Sequence, residues 1–186
     1  MSESVPEPQQ LWDGTLSEEQ RLEAVLFLAQ EPLTAKKLTQ FADLKDGRQV
    51  RKLVKNINER YDSASRAFRI YEIAGGFQMR TRSLFASWLC RLHEVPLEVR
   101  LSQPAMETLA VIAYKQPVLR ATIEKIRGVQ CAELIRQLLD QDLVRILGKS
   151  EELGKPFLYG TTKHFLEVFG LNHLDELPDR NSMAVF

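Results

Sequence analysis

The apolar residues of this chain follow a helical spacing three times in succession and then change to the alternation of strands. The first helix is predicted to begin after Ser17, because Ser17 and Gln20 have the spacing of a capping box, in which two side chains satisfy free backbone N–H groups. The apolar positions of the three helices are Leu22, Val25, Leu26 and Ala29; Leu38 and Phe41; and Val50, Leu53, Val54 and Ile57. Alternating residues then flank Gly75-Gly76, which predicts a hairpin, since glycine tolerates the positive φ of tight turns. A further helix is predicted to carry Phe85, Trp88, Leu89 and Leu92.

The same order of elements repeats in the second half of the chain. Ser102 and Thr162 are predicted to cap the first and last helices of this half, and Gly128 to end the second helix. The apolar helical positions are Met106, Leu109, Ala110 and Ala113; Ile123 and Ile126; Cys131, Leu134, Ile135 and Leu138; and Phe165, Leu166 and Phe169. Strands are predicted to begin at Val144 and Phe157, with a longer loop at 148–156 between them.

Three helices followed by a two-stranded hairpin is the order of a winged helix, a relative of the helix-turn-helix. The pattern therefore predicts an α+β, mainly helical chain of two tandem winged-helix domains, at residues 16–95 and 102–178. A linker is expected at 96–101, which contains Pro96. Residues 1–15, rich in Pro, Glu, Ser and Gln at their start, predict a disordered tail, and 179–186 a C-terminal tail.

Composition narrows the functional classes. The chain has 25 Lys and Arg residues and 25 Asp and Glu residues. Residues 1–95 contain 14 basic and 13 acidic side chains, and residues 96–186 contain 11 basic and 12 acidic ones. A protein held mainly by nucleic-acid phosphates usually has a basic excess, which neither half shows. We find no secretory signal and no apolar run near the ~20 residues of a membrane helix, so the cytoplasm is the expected location. Cys90 and Cys131 are too few for a disulfide framework.

The sequence offers no assembled catalytic site, so no enzymatic activity and no cofactor are predicted. Gly148-Lys149-Ser150 resembles the end of a phosphate-binding loop, but Leu143 replaces the required first glycine and two glutamates follow. The three histidines, His93, His164 and His173, lack partners at metal-ligand spacing, so no metal site is expected.

DNA binding is the main alternative, because winged helices often place the third helix in the major groove. In the first domain this helix carries basic residues from Arg48 to Arg60, whereas in the second Glu133 and Asp140 outweigh Arg136. Two interpretations of the basic helix therefore remain at this point. The protein is a winged-helix transcriptional regulator, or the helix presents a solvated charged face that binds nothing.

Several strings of the sequence resemble the family of segregation and condensation protein B. They are LSQPAMETLAVIAYKQPVLR at 101–120, IEKIRGV at 123–129, GKPFLYGTT at 154–162 and FLEVFGL at 165–171. The first domain matches more loosely, through EAVLFLA at 23–29 and EPLT at 31–34. Leu119 and Lys155 depart from the residues common in the family, and the neutral charge departs from its usual acidity.

The resemblance implies a non-catalytic, nucleoid-associated adaptor of the bacterial SMC (condensin) complex. Such a subunit homodimerises and binds the kleisin, segregation and condensation protein A, and through it the SMC ATPase, in chromosome condensation and partition. DNA would be contacted only weakly or indirectly, and neither a membrane nor a small-molecule substrate is implied.

Two sets of residues are candidates for these contacts. Interface energy concentrates in a few large anchors such as Tyr and Arg, although Tyr114 and Tyr159 could equally cover their own core. The predicted kleisin-binding set in the second domain is Tyr114, Gln116, Pro117, Arg120, Ile123, Arg127 and Tyr159. The predicted dimerisation set in the first domain is Phe27, Leu28, Trp88 and Leu89, which add apolar area beside the helical seams.

Overall fold

A computed structural model describes residues 16–91 and 101–178, which form helices and two small antiparallel sheets. The predicted mainly helical α+β class is confirmed. The predicted tails at 1–15 and 179–186, Leu92 and all but the last residue of the predicted linker lie outside the described residues. The chain divides into two compact units, one drawn from Met1–Tyr71 with Phe77–Arg82 and the other from Glu72–Gly76 with Ser83–Phe186.

The first unit is built on three helices whose starts are encoded locally. They are α1 (Glu18–Leu28), α2 (Ala35–Phe41) and α3 (Gly47–Ser63). Ser17 and Gln20 form the predicted capping box, Thr34 caps α2, and Asp46 caps α3 by accepting the Gln49 N–H. The predicted seams are largely confirmed: the core holds Leu22, Leu26, Leu38, Val50, Leu53, Val54 and Ile57. Phe41 differs, because it lies at the end of the short α2 and is exposed.

The predicted hairpin is confirmed, with its turn one residue earlier than the Gly-Gly pair. Strands β1 (Phe68–Ile73) and β2 (Gly76–Thr81) form a two-stranded sheet. Ala74 and Gly75 make the turn with φ of 51° and 73°, and only the second position has a glycine, which adopts such a φ without strain. Gly76 is the first, buried residue of β2. A bridge between Leu33 and Phe77 adds a contact that periodicity did not predict.

The second unit follows the predicted order and adds one strand. Its elements are α5 (Gln103–Lys115), β3 (Val118–Leu119), α6 (Arg120–Arg127), α7 (Ala132–Asp140), β4 (Val144–Lys149), β5 (Phe157–Thr161) and α8 (Lys163–Phe169). The strands form an antiparallel sheet in the order β3-β5-β4, with Val118 opposite Tyr159 and Val144 opposite Thr161. Ser102 and Thr162 cap α5 and α8 as predicted, and Gly128 ends α6 in the left-handed conformation.

Two predictions about helices are wrong in detail. The buried face of α5 holds Ala105 and Thr108, whereas Met106 and Ala110 are exposed. Thr108 can enter the core because its hydroxyl donates to the Pro104 carbonyl at 2.8 Å. The predicted fourth helix is a short 3₁₀ turn at Ser83–Phe85 followed by α4 (Ala86–Leu89), without a buried residue.

Candidate partner-binding surfaces

Tyr114, predicted to contact a partner, forms a hydrogen bond within its own unit. It lies near the end of α5 and is half-buried. Its hydroxyl donates a hydrogen bond to the carbonyl of Pro178 at 2.6 Å. The side chain therefore holds the segment after α8 against α5, in addition to any contact that it makes outside.

Gln116 forms a polar connection between the end of α5 and strand β5. Its Oε1 accepts the backbone N–H of Thr161 at 2.7 Å, and its Nε2 donates to the Ala113 carbonyl at 3.1 Å. The Thr161 hydroxyl lies 3.0 Å from Nε2 and 3.1 Å from Oε1. Both ends of the amide are thus used inside the unit, which makes Gln116 a structural residue.

The next three predicted residues differ in availability. Pro117 and Arg120 are exposed, and the Arg120 Nε lies 3.7 Å from Glu124 Oε1 one helical turn on, a pair that solvent weakens. Arg127 is far less available, with a side chain only 13% exposed that forms an ion pair with Glu107. Pro117 and Arg120 therefore offer the accessible part of the predicted site.

Ile123 is a correction to the predicted set. It is 0% exposed and lies in the core of the second unit, because α6 turns this residue toward α5 and the sheet. It cannot present its side chain to a partner without unfolding α6. Tyr159 is half-buried on β5, opposite both Val118 and Ile146, and packs against the same core.

An apolar surface on the hairpin of β4 and β5 was missed by sequence reasoning. Its exposed large residues are Ile146, Leu147, Leu153 and Phe157. The strand β4 is exposed from Arg145 to Lys149, and a register shift lies between Ile146 and Gly148. The signal in the sequence is the adjacent apolar pair at 146 and 147, which alternation cannot bury on one face.

The predicted dimerisation residues are mostly exposed. Phe27 and Leu28 are 75% and 79% exposed on α1, and Trp88 is 58% exposed, whereas Leu89 is half-buried. Trp88 and Leu89 belong to the second compact unit and Phe27 and Leu28 to the first, which differs from the predicted placement of all four in one domain.

Phe27 also lines a groove of about 400 Å³ on the first unit. The other lining residues are Gln20, Glu23, Ala24, Phe68 and Met79. Beneath Glu23, the buried Tyr61 donates its hydroxyl to the Glu23 carboxylate. Burial raises the pKa of Tyr61 well above its usual value, and the Glu23 carboxylate adds to the rise through the hydrogen bond and its charge.

The part of the chain that the structure describes holds no cluster of three His, Cys, Asp or Glu side chains able to bind a metal ion. Cys131 is buried against the core, consistent with its predicted role as a small apolar residue. Among these same residues, no helix is long and apolar enough to span a membrane.

Comparison with known proteins defines the class to which this chain belongs. A family model described as segregation and condensation complex subunit ScpB matches residues 20–180. The chain therefore belongs to the ScpB family, as its sequence strings predicted.

Two relatives named segregation and condensation protein B are similar over most of their length. That of Syntrophotalea carbinolica is 45% identical over 157 residues, which are 84% of this chain and 79% of the relative. That of Moorella thermoacetica is 42% identical over 163 residues, 88% of this chain and 83% of the relative. The crystal structure of ScpB from Mycobacterium tuberculosis is 28% identical with a TM-score of 0.40, covering 86% of this chain and 100% of that chain.

Proposed function

We propose that this protein is a non-catalytic adaptor subunit of the bacterial SMC complex, acting at the chromosome in condensation and partition. In this proposal it binds the kleisin, segregation and condensation protein A, and reaches the SMC ATPase through it. The observation that carries the proposal is the family match over residues 20–180, which identifies a complex subunit. The alternative of a transcriptional regulator has no such support.

The architecture that we assign to the adaptor is a pair of winged helices. In each half, three helices precede two antiparallel strands, β1 and β2 in the first and β4 and β5 in the second. Both halves have a separate apolar core, one centred on α3 and the other on α5 and α7. Modules of this kind present rigid outer faces to other proteins, which suits a scaffolding role.

We place the kleisin contact on the second half, in a narrower set than the sequence predicted. Pro117 directly precedes β3, Arg120 directly follows it as the first residue of α6, and both are exposed. Strand β3 pairs with β5, whose Tyr159 lies opposite Val118. The β4–β5 hairpin belongs to the same sheet, and we assign its exposed apolar residues to the contact as well. Exposed apolar residues together with an arginine are typical of a protein interface.

Co-purification with the cognate kleisin tests the proposal, with the mass of the complex measured by light scattering. We expect wild type to retain the kleisin and Arg120→Glu to lose it, because the variant places a carboxylate beside Glu124 within the contact. The matched control is Arg136→Glu, the same charge change at an exposed position of α7. Both variants should unfold at the wild-type temperature. Failure of the wild-type protein to bind kleisin would refute the function, and equal binding by Arg120→Glu would refute the site.

A further inference from the structure

The whole chain is neutral, but acidic and basic residues are strongly separated along the sequence of the first unit. Residues 1–35 contain seven acidic side chains and one basic one, whereas residues 36–55 contain seven basic and two acidic. The basic residues of the second segment, here called the basic face, are Lys36, Lys37, Lys45, Arg48, Arg51, Lys52 and Lys55. A local excess of five positive charges within 20 residues is hidden by averaging over the chain.

The fold brings the basic face to the surface of two packed helices. Lys36 and Lys37 lie on α2 and the last four on α3, and all seven residues are exposed. Arg48, Lys52 and Lys55 have the spacing 0, 4 and 7, so they lie in one row along α3. At a rise of 1.5 Å per residue this row is about 10 Å long. The charges of these three residues therefore lie along one side of α3.

Apart from the exposed Asp43, the acidic side chains near this face have partners of their own. Glu18 accepts a hydrogen bond from Gln49, Glu19 pairs with Arg60 at 3.1 Å, and Asp46 caps α3. Within the basic face, Lys55 lies 3.8 Å from Glu59, and both side chains are well exposed, so this pair is weak. Among the described residues, Lys36, Lys37, Lys45, Arg48 and Lys52 form no ion pair. The positive potential of the face is thus left for a partner.

We propose that the basic face binds the phosphate backbone of duplex DNA without reading its sequence. Protein interfaces are depleted of lysine at their centres and enriched in apolar and aromatic residues. Five of the seven residues here are lysines, and Phe41 is the one exposed large apolar residue between 36 and 55. Lysine is well suited to phosphate, which it contacts as a point charge, and such contacts carry no base information.

The binding of DNA by this face does not depend on the proposed adaptor function, whereas its usefulness at low affinity rests on that function. Contacts of this kind are weak, with a Kd on the order of 10⁻⁴ to 10⁻⁶ M at physiological salt. A protein that is tethered near DNA needs no higher affinity than this. Attachment to an assembly already at DNA raises the effective concentration of DNA around the subunit toward the millimolar range. The face would then favour one orientation of the subunit on the duplex.

Binding of the full chain to a fluorescent 30-base-pair duplex of random sequence tests the proposal, followed by anisotropy between about 20 and 150 mM salt. With four to five phosphate contacts, log Kobs should fall against log salt with a slope of about −4. The double variant Arg48→Gln/Lys52→Gln should make this slope less steep by roughly two units per protomer and weaken binding at low salt. Glutamine keeps helix propensity, so α3 should stay folded.

The matched control is Lys115→Gln/Lys125→Gln, which removes the same charge from exposed positions of the second unit. It should keep the wild-type slope. Unlabelled polyglutamate at equal charge concentration should displace the duplex poorly compared with unlabelled duplex. The proposal is overturned if the wild type does not bind the duplex at the lowest salt or if both double variants lose affinity equally. It is also overturned if Arg48→Gln/Lys52→Gln leaves the slope against salt unchanged. Efficient displacement by polyglutamate would assign the face to an acidic peptide instead of DNA.

Discussion

Gln116 and Thr161 lie 45 residues apart in the chain and are joined by hydrogen bonds through both the backbone and the side chain of Thr161. The backbone N–H of Thr161 donates to Gln116 Oε1 at 2.7 Å, and the third partner of the amide is the Ala113 carbonyl. One side chain thereby connects the end of α5 to β5. The proposed kleisin surface depends on this connection, because Pro117 and Arg120 follow directly after it.

Gln116→Ala should destabilise the second unit without changing its surface charge. The substitution leaves the Thr161 N–H without its acceptor in a nearly dry site, and such a loss costs about 1–3 kcal/mol. Urea unfolding of the full chain should show a lower midpoint with an unchanged slope. Gln137→Ala, at an exposed position of α7, is the control and should stay within about 0.5 kcal/mol of wild type. A stable Gln116→Ala protein that no longer binds kleisin would instead make Gln116 a binding residue.

Gly160 is a position where the absence of a side chain matters for the same connection. A Cβ at this residue would lie 2.5 Å from Leu147 Cδ1 and 2.8 Å from Gln116 Oε1. Gly160→Ala should therefore push Leu147 aside and strain the Gln116 amide, at a cost of about 1–3 kcal/mol. Gly148→Ala in the same hairpin is the control, because a Cβ there meets no atom within 4 Å. Thermal unfolding that ranks the two variants in the opposite order would contradict the packing of this sheet.

Features set by neighbours in the chain could be predicted from the sequence. The caps at Ser17, Ser102 and Thr162 are predicted correctly because a cap involves residues only three positions apart. Strand β3 could not be predicted from the sequence, since its two residues form a strand only by pairing with Leu158 and Tyr159, about 40 positions later.

The candidate surfaces were harder to predict than the elements, for a different reason. Residues 105–113 of α5 fit two helical faces one position apart, and the polar Thr108 favoured the wrong one. Ile123 is predicted both as an apolar helical position and as a partner contact, and only the first agrees with its place in the core. Ile126 is half-exposed in its place. Which of two apolar residues faces outward depends on tertiary packing, which the sequence pattern does not contain.

The stability of the first unit should depend on alkaline pH through Tyr61. Burial and the bond to Glu23 raise the pKa of its phenol in the folded state, whereas the unfolded phenol titrates near its ordinary value of about 10. Above about pH 10 the unfolded state releases this proton and the folded state retains it, so the free energy of unfolding should fall as pH rises. Below that pH the contribution is fully present.

The measurement is urea unfolding at intervals between about pH 8 and 11. Tyr61→Phe should lower stability at neutral pH, because it leaves the Glu23 carboxylate without its donor, and should make the alkaline fall shallower. Tyr71→Phe, a half-buried tyrosine of β1, is the control for general alkaline effects and should keep the wild-type fall. Identical pH profiles for wild type and Tyr61→Phe would rule out a coupled Tyr61.

The remaining prediction concerns a homodimer through α1. Phe27 and Leu28 are adjacent, large and more than 70% exposed, an arrangement that a symmetric contact between two copies would bury. Full burial is worth roughly 1.5–3 kcal/mol for each such side chain. The double variant Phe27→Ser/Leu28→Ser should therefore weaken dimerisation by at least about a hundredfold and leave a monomer at 10 µM, as measured by light scattering.

Three further variants decide which residues belong to this contact. Leu84→Ser/Leu153→Ser removes side chains that are 68% and 105% exposed outside α1, and it should leave the dimer intact because it changes only overall apolarity. Trp88→Ala, alone or with Leu89→Ala, tests the other half of the predicted set, which lies in the other compact unit. A monomer from this variant would extend the contact beyond α1, and a dimer would confine it to α1. If wild type is itself a monomer at 10 µM, the exposed pair on α1 needs a different partner, and the groove beside Phe27 becomes the first place to look for it.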